Sequence, residues 1–187
     1  RRGPKYTLEY ALLADGVAPE NIYEELRSEA GIERAFNKLD EIKPYLLWWD
    51  SPAQSLQLLV SGQVIMASQF NGRITTLNQT ENKQFEFVWR GSIYTLDYWA
   101  ILKDSPNKED AMKFIVYSSL PEVQAKLPAY IAYGTTAKAA ADLVPEQYQK
   151  LLPTYPENME VAMPMDISFW VDEIEPLTQS FEAWLAR

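Results

Sequence analysis

One carboxylate inside an aromatic run carries the clearest chemical signal in the sequence. Asp97 lies within residues 94–99, where two tyrosines and a tryptophan surround it in a segment with the composition of a β-strand. Burying a charge in such surroundings is costly unless the charge is paired. The partner of Asp97 is then either a cation or backbone N–H groups of the protein itself, or a ligand ammonium held among aromatic faces.

The composition excludes most other site chemistry. The 187 residues include no histidine and no cysteine, which excludes thiol nucleophiles, disulfides, histidine or cysteine zinc sites and imidazole triads. The seven glycines do not fall at the spacing of a dinucleotide-binding or phosphate-binding loop. Acidic groups at 104–110 and 172–175 lie on predicted helix surfaces, where solvated faces are the usual interpretation. The sequence therefore predicts no metal site and no catalytic site.

The charge balance narrows the class of partner. With 17 basic and 26 acidic residues the net charge is -9, and no basic stripe is available to bind nucleic acid. The acidic balance fits a cationic small ligand, and it equally fits a solvated acidic surface. No apolar run approaches the roughly 20 residues that a membrane span requires.

Helical and strand patterns alternate along the chain. Ser51 and Pro52 have the pattern of a helix start, and Gly62 follows as its end. Continuous apolar runs on both sides predict buried strands and a β-α-β unit, which is typical of an α/β protein with a parallel sheet. The predicted strands are residues 45–49, 63–68, 85–89 and 93–102. The predicted helices include residues 6–13, 32–42, 107–116 and 170–184. The helix at 107–116 is expected to be buried on most sides.

Five ordered segments of the sequence resemble segments of the substrate-binding proteins of ABC importers. Within that family, the sequence is most similar to the spermidine/putrescine-binding group. The resemblance covers essentially the whole chain but only about the second half of the family's chain. The segments are LEYALLADGV at 8–17, WWDSPAQ at 48–54, FNGRI at 70–74, IYTLDYWAI at 93–101 and NKEDAMKFI at 107–115.

The resemblance implies a fold and a location. The fold is the type II periplasmic binding protein fold, with two three-layer α/β lobes around a ligand cleft, here as a fragment without the first lobe's N-terminal segment. We expect residues 1–95 to form the first part of lobe 2, residues 96–141 part of lobe 1, and residues 142–187 helices returning to lobe 2. We also expect an exposed apolar patch of some hundreds of Å² or a compensating oligomer. The family implies no catalysis, no cofactor, a membrane permease as partner, and a periplasmic location reached with a signal peptide that this chain does not contain.

The resemblance also assigns five ligand-binding residues. Asp97 matches the position whose carboxylate binds a ligand ammonium, and Phe70 matches an aromatic wall. Tyr133 lies in a loop where polyamine binders place an aromatic residue, and Thr95 lies where an aromatic wall residue is usual. Arg73 departs from the pattern, because polyamine binders have a small or acidic residue there. A guanidinium repels a polyamine and attracts a carboxylate.

These residues predict the solute-binding component of an ABC importer for a polyamine-like or amino-bearing small organic molecule. Because Arg73 accompanies Asp97, a zwitterionic amino acid derivative or conjugate is the alternative ligand. A carboxylate-dependent hydrolase on a bilobal fold is the alternative of another class, and it requires two carboxylates about 5 to 10 Å apart. A structural or interaction module without a cleft is a third interpretation.

Overall fold

Helices account for nearly all the regular structure of the computed structural model, which describes residues 1–187. Two short strands, β1 (Ile93–Tyr94) and β2 (Met163–Pro164), pair with each other. The α-helices are α1 (Thr7–Ala14), α2 (Ile22–Leu26), α3 (Glu29–Ile42), α4 (Pro52–Val60), α5 (Asn71–Glu81), α6 (Lys108–Ser118), α7 (Pro121–Gln124), α8 (Lys138–Ala141), α9 (Glu146–Gln149), α10 (Pro156–Val161) and α11 (Ile167–Leu185), and single 3-10 turns occupy Pro19–Asn21, Lys43–Tyr45 and Leu127–Ala129.

The chain divides into two compact units. Unit 1 comprises Arg1–Gln69, Gly91–Ile93 and Met163–Arg187, and unit 2 comprises Phe70–Arg90 and Tyr94–Ala162. These units do not follow the lobe boundaries expected at residues 95 and 141, because residues 70–90 and 142–162 both group with unit 2. The assignment of lobes in the complete protein stays a prediction.

Unit 1 is built around large apolar side chains. Leu8 and Leu12 of α1 are fully buried, as are Phe169 and Phe181 of α11. The ring of Trp48 contacts Phe181 edge-on, with 5.3 Å between ring centroids. Because a buried aromatic ring removes a large apolar area from water, this cluster is the main source of stability in unit 1.

Side chains cap three helices of unit 1 in the way that local sequence rules describe. Ser51 accepts a hydrogen bond from the backbone N–H of Gln54, and Pro52 is the first residue of α4, as predicted. Ser28 caps α3 and Asp166 caps α11 in the same way.

Unit 2 has a smaller core made mainly of short side chains. Its buried cluster consists of Ala125, Ala132, Ala140, Val144 and Leu152. The Asn158 amide nitrogen donates hydrogen bonds to the carbonyl oxygens of Lys150, at 3.1 Å, and Leu152, at 2.8 Å. Hydrogen bonds from polar side chains to backbone carbonyl groups therefore supplement the limited apolar packing in this unit.

The strand predictions were largely wrong for this chain. Of the four predicted strands only residues 93–94 form one, and it pairs with β2 instead of belonging to a β-α-β unit. A strand is defined by hydrogen bonds to a neighbour, and no other segment of the chain pairs with the remaining three. Several of their side chains are exposed, as at Ile65, which is 92% exposed, although Trp49 is buried in the absence of a strand.

Helix α6 also differs from its prediction. We expected it to be buried on most sides because residues 111–116 are almost wholly apolar, but Phe114 is 52% exposed and Val116 is 61% exposed. Apolar composition shows that a face suits burial, and the neighbours determine whether burial occurs.

None of the helices combines the length and apolar character that crossing a membrane would need.

Candidate functional site

All five sequence-predicted ligand-binding residues belong to unit 2. Phe70 directly precedes α5 in an extended conformation, and Arg73 lies exposed in the first turn of that helix. Thr95 and Asp97 are exposed in the segment without regular secondary structure that follows β1. Tyr133 is partly buried in the loop between α7 and α8.

The start of α5 holds the loop that carries Tyr133. The Asn71 side-chain amide donates hydrogen bonds to the carbonyl oxygens of Ala132 and Leu151. Within the loop, the backbone N–H of Tyr133 donates to the carbonyl oxygen of Ile131 at 2.7 Å. The two bonds from Asn71 attach residues 132 and 151 to the N-terminus of α5, and the bond within the loop fixes the turn immediately before the Tyr133 side chain.

Two opposite charges act on the hydroxyl of Tyr133. Burial is the main cause that raises the pKa of Tyr133 above its usual value. The Arg73 guanidinium acts against this shift, whereas the Asp97 carboxylate adds to it. Neither Arg73 nor Asp97 has an ion-pair partner within 4 Å. Both charges therefore act on the Tyr133 hydroxyl, and neither forms an ion pair within the chain.

Phe70 and Thr95 flank this group along the chain. Phe70 stands three residues before Arg73, and Thr95 stands two residues before Asp97. Their roles as cleft residues stay predictions from the family resemblance.

The expectation that Asp97 is a buried charge was wrong for this chain. Asp97 is exposed, and so are its neighbours Tyr98, at 73%, and Trp99, at 64%. The segment after β1 has no paired strand on either side, so nothing in the chain removes the carboxylate from water. Asp97 thus has no burial cost here, and its proposed role depends on the family resemblance and on the action of its charge on Tyr133.

Sequence analysis missed a buried carboxylate in unit 1. Glu9 of α1 is fully buried, and its Oε1 atom accepts hydrogen bonds from Trp170 Nε1 at 2.7 Å and from the Tyr23 hydroxyl at 3.1 Å. Burial raises the pKa of Glu9 to about 7, and hydrogen bonds from the backbone, Trp170 and Tyr23 oppose that shift. The only sequence signal was a glutamate beside Leu8 in an otherwise apolar helix.

Glu9 belongs to the core of unit 1 and is separate from the five predicted ligand-binding residues. No group of three or more acidic side chains lies close enough together to hold a metal ion.

Comparison with known proteins identifies the family. Residues 2–157 match the model of the bacterial extracellular solute-binding proteins. The chain belongs to this family. It is 46% identical over 187 residues to the gamma-aminobutyric acid-binding protein of Pseudomonas aeruginosa, a match that covers 100% of the chain and 53% of that protein. It is 28% identical over 130 residues to the spermidine/putrescine-binding periplasmic protein of Escherichia coli, covering 67% of the chain and 36% of that protein.

Solved structures show the same relationship. The periplasmic binding protein MotA of Agrobacterium tumefaciens B6, in complex with glucopine, matches with a TM-score of 0.87 and 28% identity over 98% of the chain and 58% of its own. The Atu4243 GABA receptor matches with a TM-score of 0.80 and 32% identity over 97% of the chain and 54% of its own. The chain thus spans about half the length of these structures, and about half or less of the curated relatives.

These matches confirm the predicted resemblance to ABC-transporter substrate-binding proteins and the predicted fold class, a fragment of the α/β periplasmic binding protein fold. The relatives are binding proteins and not enzymes, so the comparisons favour solute binding over the carboxylate-dependent hydrolase.

Proposed function

We propose that the protein is the solute-binding component of an ABC importer and that its ligand is a small zwitterion with one amino and one carboxylate group, of the size of GABA. The observation that carries this proposal is that the turn of α5 bearing Arg73 packs against the ring of Tyr133, and that Arg73 and Asp97, both without an ion-pair partner, act on its hydroxyl with opposite charges. A pair of opposite charges suits a ligand that itself carries both charges. The 46% identical GABA-binding relative supports the same ligand class.

In this proposal each residue has one role. Asp97 binds the ligand ammonium, and Arg73 binds the carboxylate through the planar fork of its guanidinium. Phe70 packs against the ligand methylenes, and Tyr133 and Thr95 offer hydroxyl groups. Because the relatives are about twice as long, we propose that residues outside this chain complete the site and that two lobes close over the ligand.

The relatives also support the setting. A periplasmic location and a membrane permease as partner are consistent with the periplasmic binding proteins among the matches. We propose both for this protein.

A polyamine is the second candidate ligand. The net charge of -9 and the spermidine/putrescine-binding relatives favour it, whereas the guanidinium of Arg73, which like Asp97 acts on Tyr133, opposes it. The two ligands differ in one group, since a polyamine has no carboxylate for Arg73 to bind.

Calorimetric titration of the complete natural protein that contains residues 1–187 tests the proposal with GABA, putrescine and spermidine. We expect Asp97→Asn and Arg73→Gln each to weaken GABA binding by about 30-fold to 1000-fold, because each leaves one ligand charge unpaired, at a cost of about 2 to 4 kcal/mol. Arg73→Gln should leave putrescine binding unchanged or improved.

Exposed charges of the same unit provide matched controls. Arg90→Gln and Asp104→Asn make the same chemical changes at exposed residues whose charges do not act on Tyr133, and they should leave both affinities unchanged. If wild-type protein prefers putrescine to GABA, the polyamine is the ligand. If Asp97→Asn has no effect on either ligand, the proposed ammonium contact does not exist.

A further inference from the structure

We infer that Asn71 and Gly72 are positioning residues that hold Tyr133 against the turn of α5 that carries Arg73, and that this placement sets the preference for a zwitterion over a diamine. The inference rests on the proposed function and deepens it. It concerns two residues that do not carry a charge and that the family resemblance does not assign to ligand binding.

Gly72 is required by the space around it. It is the second residue of α5, it is buried, and its φ lies outside the positive range where glycine is favoured. A Cβ atom at this position would lie 2.7 Å from Cε1 and 3.0 Å from Cδ1 of the Tyr133 ring, and 2.7 Å from Cγ1 of Ile131. Ordinary carbon–carbon contacts are about 3.5 to 4.0 Å. Any side chain at residue 72 therefore displaces the ring of Tyr133.

Asn71 fixes the backbone that carries the ring. Its single amide nitrogen donates to two carbonyl oxygens, those of Ala132 and Leu151. The amide of asparagine supplies both donors, whereas the carboxylate of aspartate has none. The hydrogen bond from the Tyr133 N–H to the Ile131 carbonyl, at 2.7 Å, then closes a tight turn immediately before the ring. Backbone and ring are thus held by two consecutive residues of α5.

The same helix turn carries the guanidinium. Arg73 follows Gly72 directly, so the packing that places the Tyr133 ring also sets its position relative to Arg73. A phenol hydroxyl can donate a hydrogen bond to a carboxylate and can accept one from an ammonium. A ligand carboxylate on Arg73 gains this extra donor, whereas an ammonium of a diamine could reach the same hydroxyl only beside the guanidinium of Arg73, which repels it. Displacing Tyr133 should therefore weaken zwitterion binding more than diamine binding.

The experiment compares affinities for GABA and putrescine, by calorimetry on the complete natural protein, in wild type, Gly72→Ala, Asn71→Asp and Tyr133→Phe. We expect each variant to lower the GABA-to-putrescine affinity ratio about 10-fold, the value of one hydrogen bond to a charged group. A merely structural role would lower both affinities alike and leave the ratio unchanged, which would overturn the inference.

A double-mutant cycle separates positioning from general damage. In a Tyr133→Ala background the ring is absent, so adding Gly72→Ala should change the ratio no further. An undiminished effect of Gly72→Ala in that background would overturn the inference. Thermal unfolding of each variant identifies any that fail to fold, and Tyr133→Phe keeps the ring as the conservative comparison.

A ligand-independent measurement keeps this inference distinct from the proposed function. If wild-type protein binds neither compound, the proposed function and the ligand preference that rests on it are wrong, and the positioning of the ring by Asn71 and Gly72 is then decided by 3-fluorotyrosine incorporated at position 133. We expect its ¹⁹F resonance to shift in Gly72→Ala and Asn71→Asp and to stay in place in Asp104→Asn. An unchanged resonance in Gly72→Ala would show that Gly72 does not position the ring.

Discussion

The two units of the chain separate stability from binding. Unit 1 buries large aromatic rings from α11. Three of its five α-helices begin with a side-chain cap, formed by Ser28, Ser51 and Asp166. Unit 2 has a core of short side chains, and none of its helices has a side-chain cap. Yet unit 2 carries every predicted ligand-binding residue. The part of the chain with the smaller core is thus the part proposed to bind the ligand, which agrees with the general location of binding elements at the low-stability end of proteins.

The largest effect is expected in the aromatic core of unit 1. Phe181 is fully buried, and its ring centroid lies 5.3 Å from that of Trp48 and 5.4 Å from that of Trp184. We expect Phe181→Ala to lower the free energy of unfolding of the 187-residue chain by about 3 to 5 kcal/mol, because it leaves a cavity among rings that cannot collapse fully. Urea unfolding followed by tryptophan fluorescence measures the change.

The adjacent residue provides the control for this variant. Ser180 is exposed, and its hydroxyl only donates to the carbonyl oxygen of Pro176 in the same helix. Ser180→Ala should change stability by less than about 0.5 kcal/mol. A loss below about 1 kcal/mol in Phe181→Ala would contradict the view that this cluster dominates unit 1.

The next effect is a pH dependence that belongs to unit 1. Burial raises the pKa of Glu9 from 4.5 to about 7, so the folded state favours the protonated form. The stabilising contribution of this proton is complete below about pH 4.5 and is lost as the pH rises through 7. We expect the free energy of unfolding to fall by about 3 kcal/mol between pH 4.5 and 8 through this group. Tyr23, which faces Glu9, stays neutral throughout, because burial also raises its pKa.

Glu9→Gln tests this directly, because the amide has the same shape and does not titrate. Unfolding in urea at several pH values should show the Glu9 contribution in the wild type and not in the variant, while Glu20→Gln, which changes an exposed glutamate, should behave as the wild type. A variant curve that retains the wild-type slope would exclude Glu9 as its source.

Features that depend on neighbouring residues in the sequence could be predicted, whereas features that depend on distant residues could not. The start of α4 at Ser51 and Pro52 and its end before Gly62 were predicted correctly, because caps and turns depend on residues within one helical turn. The strand at 63–68 was not, because a strand depends on a neighbour that this chain does not supply. The exposure of Asp97 follows from the same lack of neighbours.

The candidate site shows the same limit. Asp97 was indicated by its aromatic neighbours, whereas the ligand-binding roles of all five residues came from the family resemblance. No local pattern could have shown that Asn71 reaches the carbonyl of Leu151, 80 positions away. Glu9 was missed because its partners Tyr23 and Trp170 lie on two other helices. A buried polar group is recognised by what surrounds it, and one sequence does not list those surroundings.

The smallest effect is expected for an aromatic pair in unit 2, and it sharpens the contrast with Phe181. Phe114 meets Trp99 edge-on with 5.2 Å between centroids, nearly the spacing of the Trp48–Phe181 pair, yet the two side chains are 52% and 64% exposed. Because the pair stays largely in water, Phe114→Ala should cost only about 0.5 to 1 kcal/mol in the 187-residue chain. Urea unfolding compares it with Phe181→Ala under identical conditions. Equal losses would show that ring contacts govern stability regardless of burial, whereas the expected several-fold difference assigns the stability of unit 1 to the removal of its rings from water.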